Sequence, residues 1–220
     1  MKINPVFINS IRLNNNCSFG KTYLGNDTVN TNNGKSADVF FVEYNLDNSK
    51  DWKQVKNLKA LWGEDSDYTE RIVNSFKTLK ENYDSSMNYM HFYGLEDKYG
   101  NTLAIAKVSD DDKNSDKVKE SCVKIGFIQV DPDESYLSRG RHYFGLGETL
   151  VSNIVQKAKA EYADSIELMS ANEGFWKKNG YFKNVSSNAK VFPTRRLTGE
   201  DFDEYINYVN SKKNGVNYLA

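Results

Sequence analysis

A mixed α/β domain with helices on both sides of one sheet is the fold class that the sequence predicts. Three observations carry the prediction. Apolar residues recur at helical spacing in some stretches and alternate at period two in others. The two kinds follow one another as strand, two helices, three strands, helix, strand, helix and two strands, with a last helix behind them. And 220 residues, 39% of them hydrophobic, suffice for one sizeable core.

The elements follow in chain order. Residues 1–36 hold nine Asn, several Gly and Thr, and single apolar residues such as Phe7, Ile8, Ile11 and Leu13. Such a stretch buries too little to offset its own ordering, so it is expected to be a flexible tail. Val39 to Tyr44 is β-branched and aromatic, a strand. In "SKDWKQVKNLKALWG" the residues Trp52, Val55, Leu58, Leu61 and Trp62 share one helical face, and Gly63 stops the helix. Asp67 and Glu70 form a capping box ahead of Ile72, Val73, Phe76 and Leu79. "NYMHFYGLED" and "NTLAIAKVS" are strands joined through the turn residues of "DKYGN". The charged run 110–120 is a solvated loop.

In "CVKIGFIQVDPD" the residues Val123, Ile125 and Phe127 alternate in one phase, and Ile128 and Val130 in the other. A period-two pattern that slips by one residue marks a β-bulge, and Pro132 ends the strand. Leu150, Val151, Ile154, Val155, Ala158 and Tyr162 then repeat at helical spacing. "SIELMS" is a strand, "NEGFWKKNG" a short helix ended by Gly180, and "YFKNV" with "KVFPTRRL" two closing strands. Thr198 caps a last helix, and 213–220 is a loose tail.

The totals exclude several functions. Formal net charge is -1, without the basic excess that draws a protein to nucleic acid, so no nucleic-acid partner is expected. No apolar run reaches the ~18 residues of a membrane span, and the start lacks the pattern of a secretory signal. Cys17 and Cys122 stand alone, and His91 and His142 are the two histidines, so neither a metal site nor a disulfide framework is expected. A reduced, cytoplasmic protein follows, as a monomer or homodimer.

"RHYFGLGETL" at 141–150 carries Gly145 and Gly147 where a helix is about to begin. The first amides of a helix have no intrahelical partner, and with the positive dipole end they form an anion site. Glycine lets a phosphate approach the amides of residues 143–149. Glu148 and Thr149 stand where a P-loop needs Lys and Ser or Thr, and Leu150 stands where a dinucleotide fingerprint needs a third glycine.

From Val123 to Phe182 the chain resembles the GNAT superfamily of acyl-CoA-dependent N-acetyltransferases. Val130, Asp131 and Pro132 match the turn after the family's bulged strand. His142, Gly145 and Gly147 match the Arg/Gln-x-x-Gly-x-Gly/Ala loop that binds the CoA pyrophosphate. Phe175, Trp176, Gly180 and Tyr181 stand in the place of its Phe-Tyr-x-x-x-Gly-Phe signature. The resemblance implies a domain over 37–212 with a mostly antiparallel sheet split at the bulge. It implies acetyl-CoA as co-substrate and a primary amine, on a small molecule or a protein, as acceptor. It places Ile128, Val130, His142, Tyr143, Phe144, Gly145, Leu146, Gly147, Asn172 and Trp176 at the cofactor.

Three departures stand out. His142 replaces the usual Arg or Gln, the loop "DESYLSRGRHYF" is longer than the common form, and Trp176 occupies the position of the tyrosine that often protonates the leaving thiolate. Candidate bases are Asp131, Asp133, Glu134, Glu96 and His142; candidate acids are Tyr136, Tyr143 and Tyr181. Asp131, His142 and Tyr181 are the selected catalytic set, although the ordinary role of each acid is that of a solvated turn residue. Acidic residues at 131–134 point to a cationic amine. A catalytically silent CoA-binding or protein-interaction module of the same fold is the alternative, favoured by Trp176.

Overall fold

The computed structural model describes residues 20–45, 47–63, 67–81, 90–110, 120–135, 137–169, 180–185 and 194–215. In chain order these form β1 (Thr22–Thr31), β2 (Ser36–Glu43), α1 (Ser49–Trp62), α2 (Asp67–Glu81), β3 (Met90–Glu96), β4 (Thr102–Asp110), β5 (Cys122–Val130), β6 (Tyr143–Phe144), α3 (Leu146–Ala160), β7 (Ser165–Met169), β8 (Lys183–Asn184), β9 (Thr194–Thr198) and α4 (Phe202–Gly215). The strands make one sheet in the order β6-β1-β2-β3-β4-β5-β7-β9-β8. Its pairings are antiparallel except that of β5 with β7. The mixed α/β architecture, with a mostly antiparallel sheet and helices on both faces, is the one the sequence predicts. None of the described helices is long and apolar enough to cross a membrane.

Each face carries its own core. On one side Leu150, Ile154 and Val155 of α3 and Phe202, Tyr205 and Val209 of α4 pack on Leu95, Ala104, Ala106 and Ile166. On the other, Val55, Leu58 and Trp62 of α1 and Ile72 and Val73 of α2 cover Val42, Phe92 and Ile105. Each large aliphatic residue buried this way contributes about 1.5–3 kcal/mol. Leu61, expected on the buried stripe of α1, is exposed; Val55, Leu58 and Trp62 carry the contact. Asn48 caps α1 by accepting from the Lys50 and Asp51 amides, and Gly63 ends it at φ 87°.

The flexible-tail expectation fails for part of the N-terminus. Thr22–Thr31 is β1, paired along β2 from Thr22↔Glu43 to Asn30↔Ser36. Its side chains are mostly polar, so burial is not what recommends it as a strand. It is held by its ladder and by Asp27, which accepts from Asn153 of α3 at 2.9 Å and pairs with Lys213 of α4 at 2.6 Å. Lys213 therefore also corrects the other end: the helix runs on to Gly215, inside the expected loose tail.

Glu96, a candidate base from sequence, is buried in a closed network. It takes hydrogen bonds from Lys21 at 2.6 Å, Gln54 at 2.7 Å and the Tyr44 hydroxyl at 3.0 Å. Tyr44 reaches it by lying across Gly94, where a Cβ would meet the ring at 2.7 Å. Burial, then the Glu96 charge, pushes the Tyr44 pKa well up. Gly94→Ala is expected to destabilise the domain by about 1–3 kcal/mol through overpacking. A urea unfolding midpoint equal to that of the parent protein would refute this reading of Gly94.

His91 sits on β3 with Nδ1 2.6 Å from Glu43 and Nε2 3.7 Å from Asp110, its ring stacked on Tyr93. The hydrogen bond to Glu43 raises its pKa against the opposing effect of burial; Asp110 adds and Lys157 subtracts. A raised folded pKa stabilises the protein fully below the unfolded value of about 6.5, and that stability is lost as pH climbs through the folded value. The urea midpoint is expected to fall across that window, and the fall to flatten in His91→Gln. An unchanged slope in the variant would remove His91 as its source.

Candidate active site

The β4–β5 ladder loses its register at one residue. Lys107 faces Phe127 and Val108 faces Ile125, so Gly126 is left over. This is the bulge that the slipped alternation predicts, but one position earlier. Val123, Ile125, Ile128 and Val130 all pack toward α3, and Phe127 faces α1 and α2. Because helices cover both faces, an apolar residue in this strand does not reveal its side.

Beyond the bulge the sheet splits. The β5–β7 ladder runs from Cys122↔Ser165 to Ile125↔Leu168, whereas the β4–β5 ladder continues to Ala104↔Val130. Residues 126–130 thus keep one paired edge and, among the described residues, one unpaired edge. Backbone groups on such an edge are free to accept another extended chain.

The loop after β5 brings α3 to the mouth of this split. Pro132–Glu134 is a short 3-10 turn, capped by the Asp131 carboxylate accepting from the Asp133 amide at 3.0 Å. Glu134 then folds back, and its Oε2 accepts from the amides of His142 and Tyr143, both at 2.7 Å. Tyr143 and Phe144 pair with Thr31 and Asn30 of β1. Gly145 follows at φ 78°, ψ 14°, a left-handed conformation that L side chains rarely adopt. The first helical bond is Thr149 N–H to the Gly145 carbonyl at 2.8 Å.

Consequently the amides of Leu146, Gly147 and Glu148 precede the first intrahelical donor, and no side chain caps them among the described residues. This narrows the expected run of free amides at 143–149: Tyr143 donates to Glu134 and Thr149 donates within the helix. Gly147 lies against the free strand, with its absent Cβ 3.6 Å from Val130 Cγ2. Glu148 does not oppose an anion here, because its carboxylate turns onto α4 and pairs with Lys212 at 2.7 Å. Burial works against the Lys212 charge, yet the hydrogen bond to Glu148 holds its pKa up.

The selected catalytic residues do not converge. Asp131 is occupied as the turn cap and also takes a hydrogen bond from Trp62. Burial raises its pKa, the Asp133 amide opposes, and the charges of Asp133 and Glu134 add. At ~3.3 Å per residue it lies about 16 Å along the chain from the bulge. Tyr181 packs its ring on Tyr205 and Tyr208 of α4, with centroids at 5.8 and 5.1 Å. His142 is exposed beside the α3 start, edge-on to Tyr143 at 4.6 Å. Its neighbour Arg141 lies 4.4 Å over Phe144. Asn172, Phe175, Trp176 and Tyr136 lie outside the described residues. Ile128 and Val130 lie on the stretch of β5 that pairs with β4 alone among the described residues.

Two features escape the sequence. One is the Glu134 clamp, which depends on a chain reversal over eight residues. The other is Arg195, buried on β9 with Nη1 donating to the Phe182 carbonyl at 3.2 Å and with Nε and Nη2 unpartnered among the described residues.

No family model matches the sequence, and no curated protein matches it significantly. Solved structures do match the fold. An uncharacterised Bacillus halodurans protein aligns at TM-score 0.56 and 14% identity, covering 87% of this chain and all of that one. A variant of the toxin AtaT, bound to the C-terminus of the antitoxin AtaR and acetyl-CoA, aligns at TM-score 0.52 and 12% identity over 76% of this chain and 96% of its own. An Exiguobacterium protein assigned as an acetyltransferase aligns at TM-score 0.50 and 17% identity, over 76% and 97%. With the bulge, the parallel β5–β7 pair that splits beyond it and a helix starting at its mouth, the chain has the fold of the GNAT acetyltransferases.

Proposed function

We propose that the protein is an N-acetyltransferase that moves an acetyl group from acetyl-CoA to a primary amine. The observation that carries this reading is the meeting of a free strand edge at 126–130 with three uncapped amides at 146–148. The residues fit the co-substrate. Leu146, Gly147 and Glu148 would donate to its diphosphate at the positive end of the α3 dipole, each bond contributing on the order of 1.5–3 kcal/mol. Arg141, half-buried beside Phe144, adds positive charge near that position. Ile128 and Val130 would pair through their backbone with the pantetheine arm.

Bound there, acetyl-CoA supplies the activated acyl group, whose C–S bond breaks as the amine forms a C–N bond. The chain contributes alignment. The split holds donor and acceptor in line, and a backbone amide beside the bulge polarises the carbonyl. Asp131 and Glu134 serve in this scheme as the braces of the phosphate loop. Tyr181 belongs to the α4 aromatic cluster. The proton released by the amine returns to the thiolate or to solvent. A silent CoA-binding module of the same fold is the alternative, favoured by Trp176 in the place of the family's proton-donating tyrosine.

Calorimetric titration with acetyl-CoA, followed by thiol release with a panel of amines, separates the two readings. Saturable binding with turnover is expected; binding alone would favour the silent module, and no binding would remove both. Gly145→Val is expected to abolish CoA binding, combining a blocked approach with a left-handed backbone it resists by about 1–2 kcal/mol. Gly145→Asn tolerates that backbone and isolates the steric effect. Unchanged affinity in both variants would reject the loop as the phosphate site.

Glu134→Ala frees the amides of His142 and Tyr143. Faster hydrogen exchange at those two positions is expected, together with weaker CoA binding of about tenfold. Exchange at the parent rate would mean that the clamp does not hold the loop.

A further inference from the structure

The face of the bulge turned away from α3 carries two cations, half-buried Lys107 and exposed Arg71. Lys107 stands opposite Phe127 in the last β4–β5 pair before the register breaks. It follows fully buried Ile105 by two residues on the same face of β4. Its Nζ lies 5.8 Å from the Phe127 ring centroid and 3.3 Å from Ser75 Oγ of α2. Arg71, one helical turn earlier on α2, places its guanidinium 6.0 Å from the same ring.

Neither cation has a carboxylate partner among the described residues. The contrast with other partly buried lysines is direct. Lys21 pairs with Glu96, Lys157 with Glu161, Lys212 with Glu148 and Lys213 with Asp27. Lys107 instead has a hydroxyl and an aromatic face, and burial alone pushes its pKa down. A half-buried ammonium without an anion is held at a cost to folding. The acids that suggest a cationic acceptor are elsewhere engaged, Asp131 on its own turn and Glu134 on the phosphate loop.

We propose that Lys107 and Arg71 bind an anionic oxyacid group, carboxylate or phosphate, carried by the amine acceptor a few bonds from its reacting nitrogen. This rests on the acetyltransferase reading, which puts the acetyl group at the base of the split beside Phe127. Strand spacing sets the scale: adjacent strands are ~4.8 Å apart, so an anion on Lys107 leaves room for a short linker only. Phe127 supplies the apolar floor under that linker, and Ser75 a neutral hydrogen-bonding group. The reaction itself is unchanged: the neutral amine forms the C–N bond, the C–S bond breaks, and the amine proton leaves with the thiolate or to solvent.

The test uses matched amines that differ in the anionic group: glycine against glycinamide, and O-phosphoethanolamine against ethanolamine. Acetyl transfer is followed by thiol release in the parent protein, Lys107→Met and Lys107→Arg. The anionic member of at least one pair is expected to be preferred by tenfold or more, and the pair that shows it tells carboxylate from phosphate. Lys107→Met should raise KM for that substrate at least tenfold, leave kcat and the neutral amine within about twofold, and keep or raise the urea midpoint. Lys107→Arg should restore KM. Equal use of both members, or an equal loss on both in Lys107→Met, overturns the proposal. Should no amine turn over, the Lys107 ε-methylene signal is followed by NMR with CoA present during titration with glycine and O-phosphoethanolamine. A saturable shift supports the anion site, and no shift overturns it. CoA affinity measured on the same sample reports separately on the acetyltransferase reading.

Discussion

Gly126 faces no residue of β4, and much of the architecture around the split follows from that missing partner. Before it, β5 is an interior strand, hydrogen-bonded to β4 on one side and β7 on the other. After it, the strand turns with the extra residue, stays with β4 and leaves β7. The bulge also resets side-chain phase, so that Ile125 and Ile128 point to the same core although they are three apart. Without that reset, Ile128 and Val130 would face α1 and α2, and the start of α3 would have nothing to seat on. Packing against α3 and the opening of the sheet are therefore one event.

An open strand edge is a liability in a sheet, and this one is short: among the described residues it covers 126–130, with Gly147 of α3 against Val130. The first turn of α3 is itself fixed from several directions. Glu134 holds the amides before it, β1 holds β6, and Lys212 holds Glu148 within it. A left-handed Gly145 joins the two segments, where a side-chain-bearing residue would strain the turn. The N-terminal strand thus supports the start of α3: Thr31 and Asn30 pair with the very residues that lead into it.

How far the sequence foretold this depends on what each feature rests on. Features written in local pattern were legible: the helix in residues 49–63, the hairpin through "DKYGN", the phase slip in β5 and the glycines at the start of α3. Features that rest on contacts between distant segments were not. β1 has a burial pattern that rises only toward Val29 and Thr31, and its polar Asp27 makes sense only once Asn153 and Lys213 arrive from α3 and α4. Phe127 looked in phase with Val123 and Ile125 because both sides of the strand are buried. Asp131 and Glu134 looked like chemistry because acidic residues after a strand do not announce that they will cap a turn and clamp two amides. The Gly-x-Gly spacing was visible; which amides it leaves free required the chain reversal.

Charge placement separates the two faces of the sheet. On the α3 side, Lys212 and Lys213 of α4 reach in and are met by Glu148 and Asp27. On the α1 side, far from the bulge, Lys21 is met by Glu96 with Gln54 and Tyr44 satisfying the remaining positions. Only near Phe127 does this matching lapse among these half-buried lysines. Four other partly buried lysines meet a carboxylate, whereas Lys107 meets the Phe127 ring beside Arg71, and local rules tend to be broken where a site needs them broken. Removing that charge should cost the fold nothing and leave the packing of the side-chain stem on Phe127 in place. The mismatch is best understood as complementarity to a negative charge that arrives with the substrate, on the α1–α2 face of the bulge.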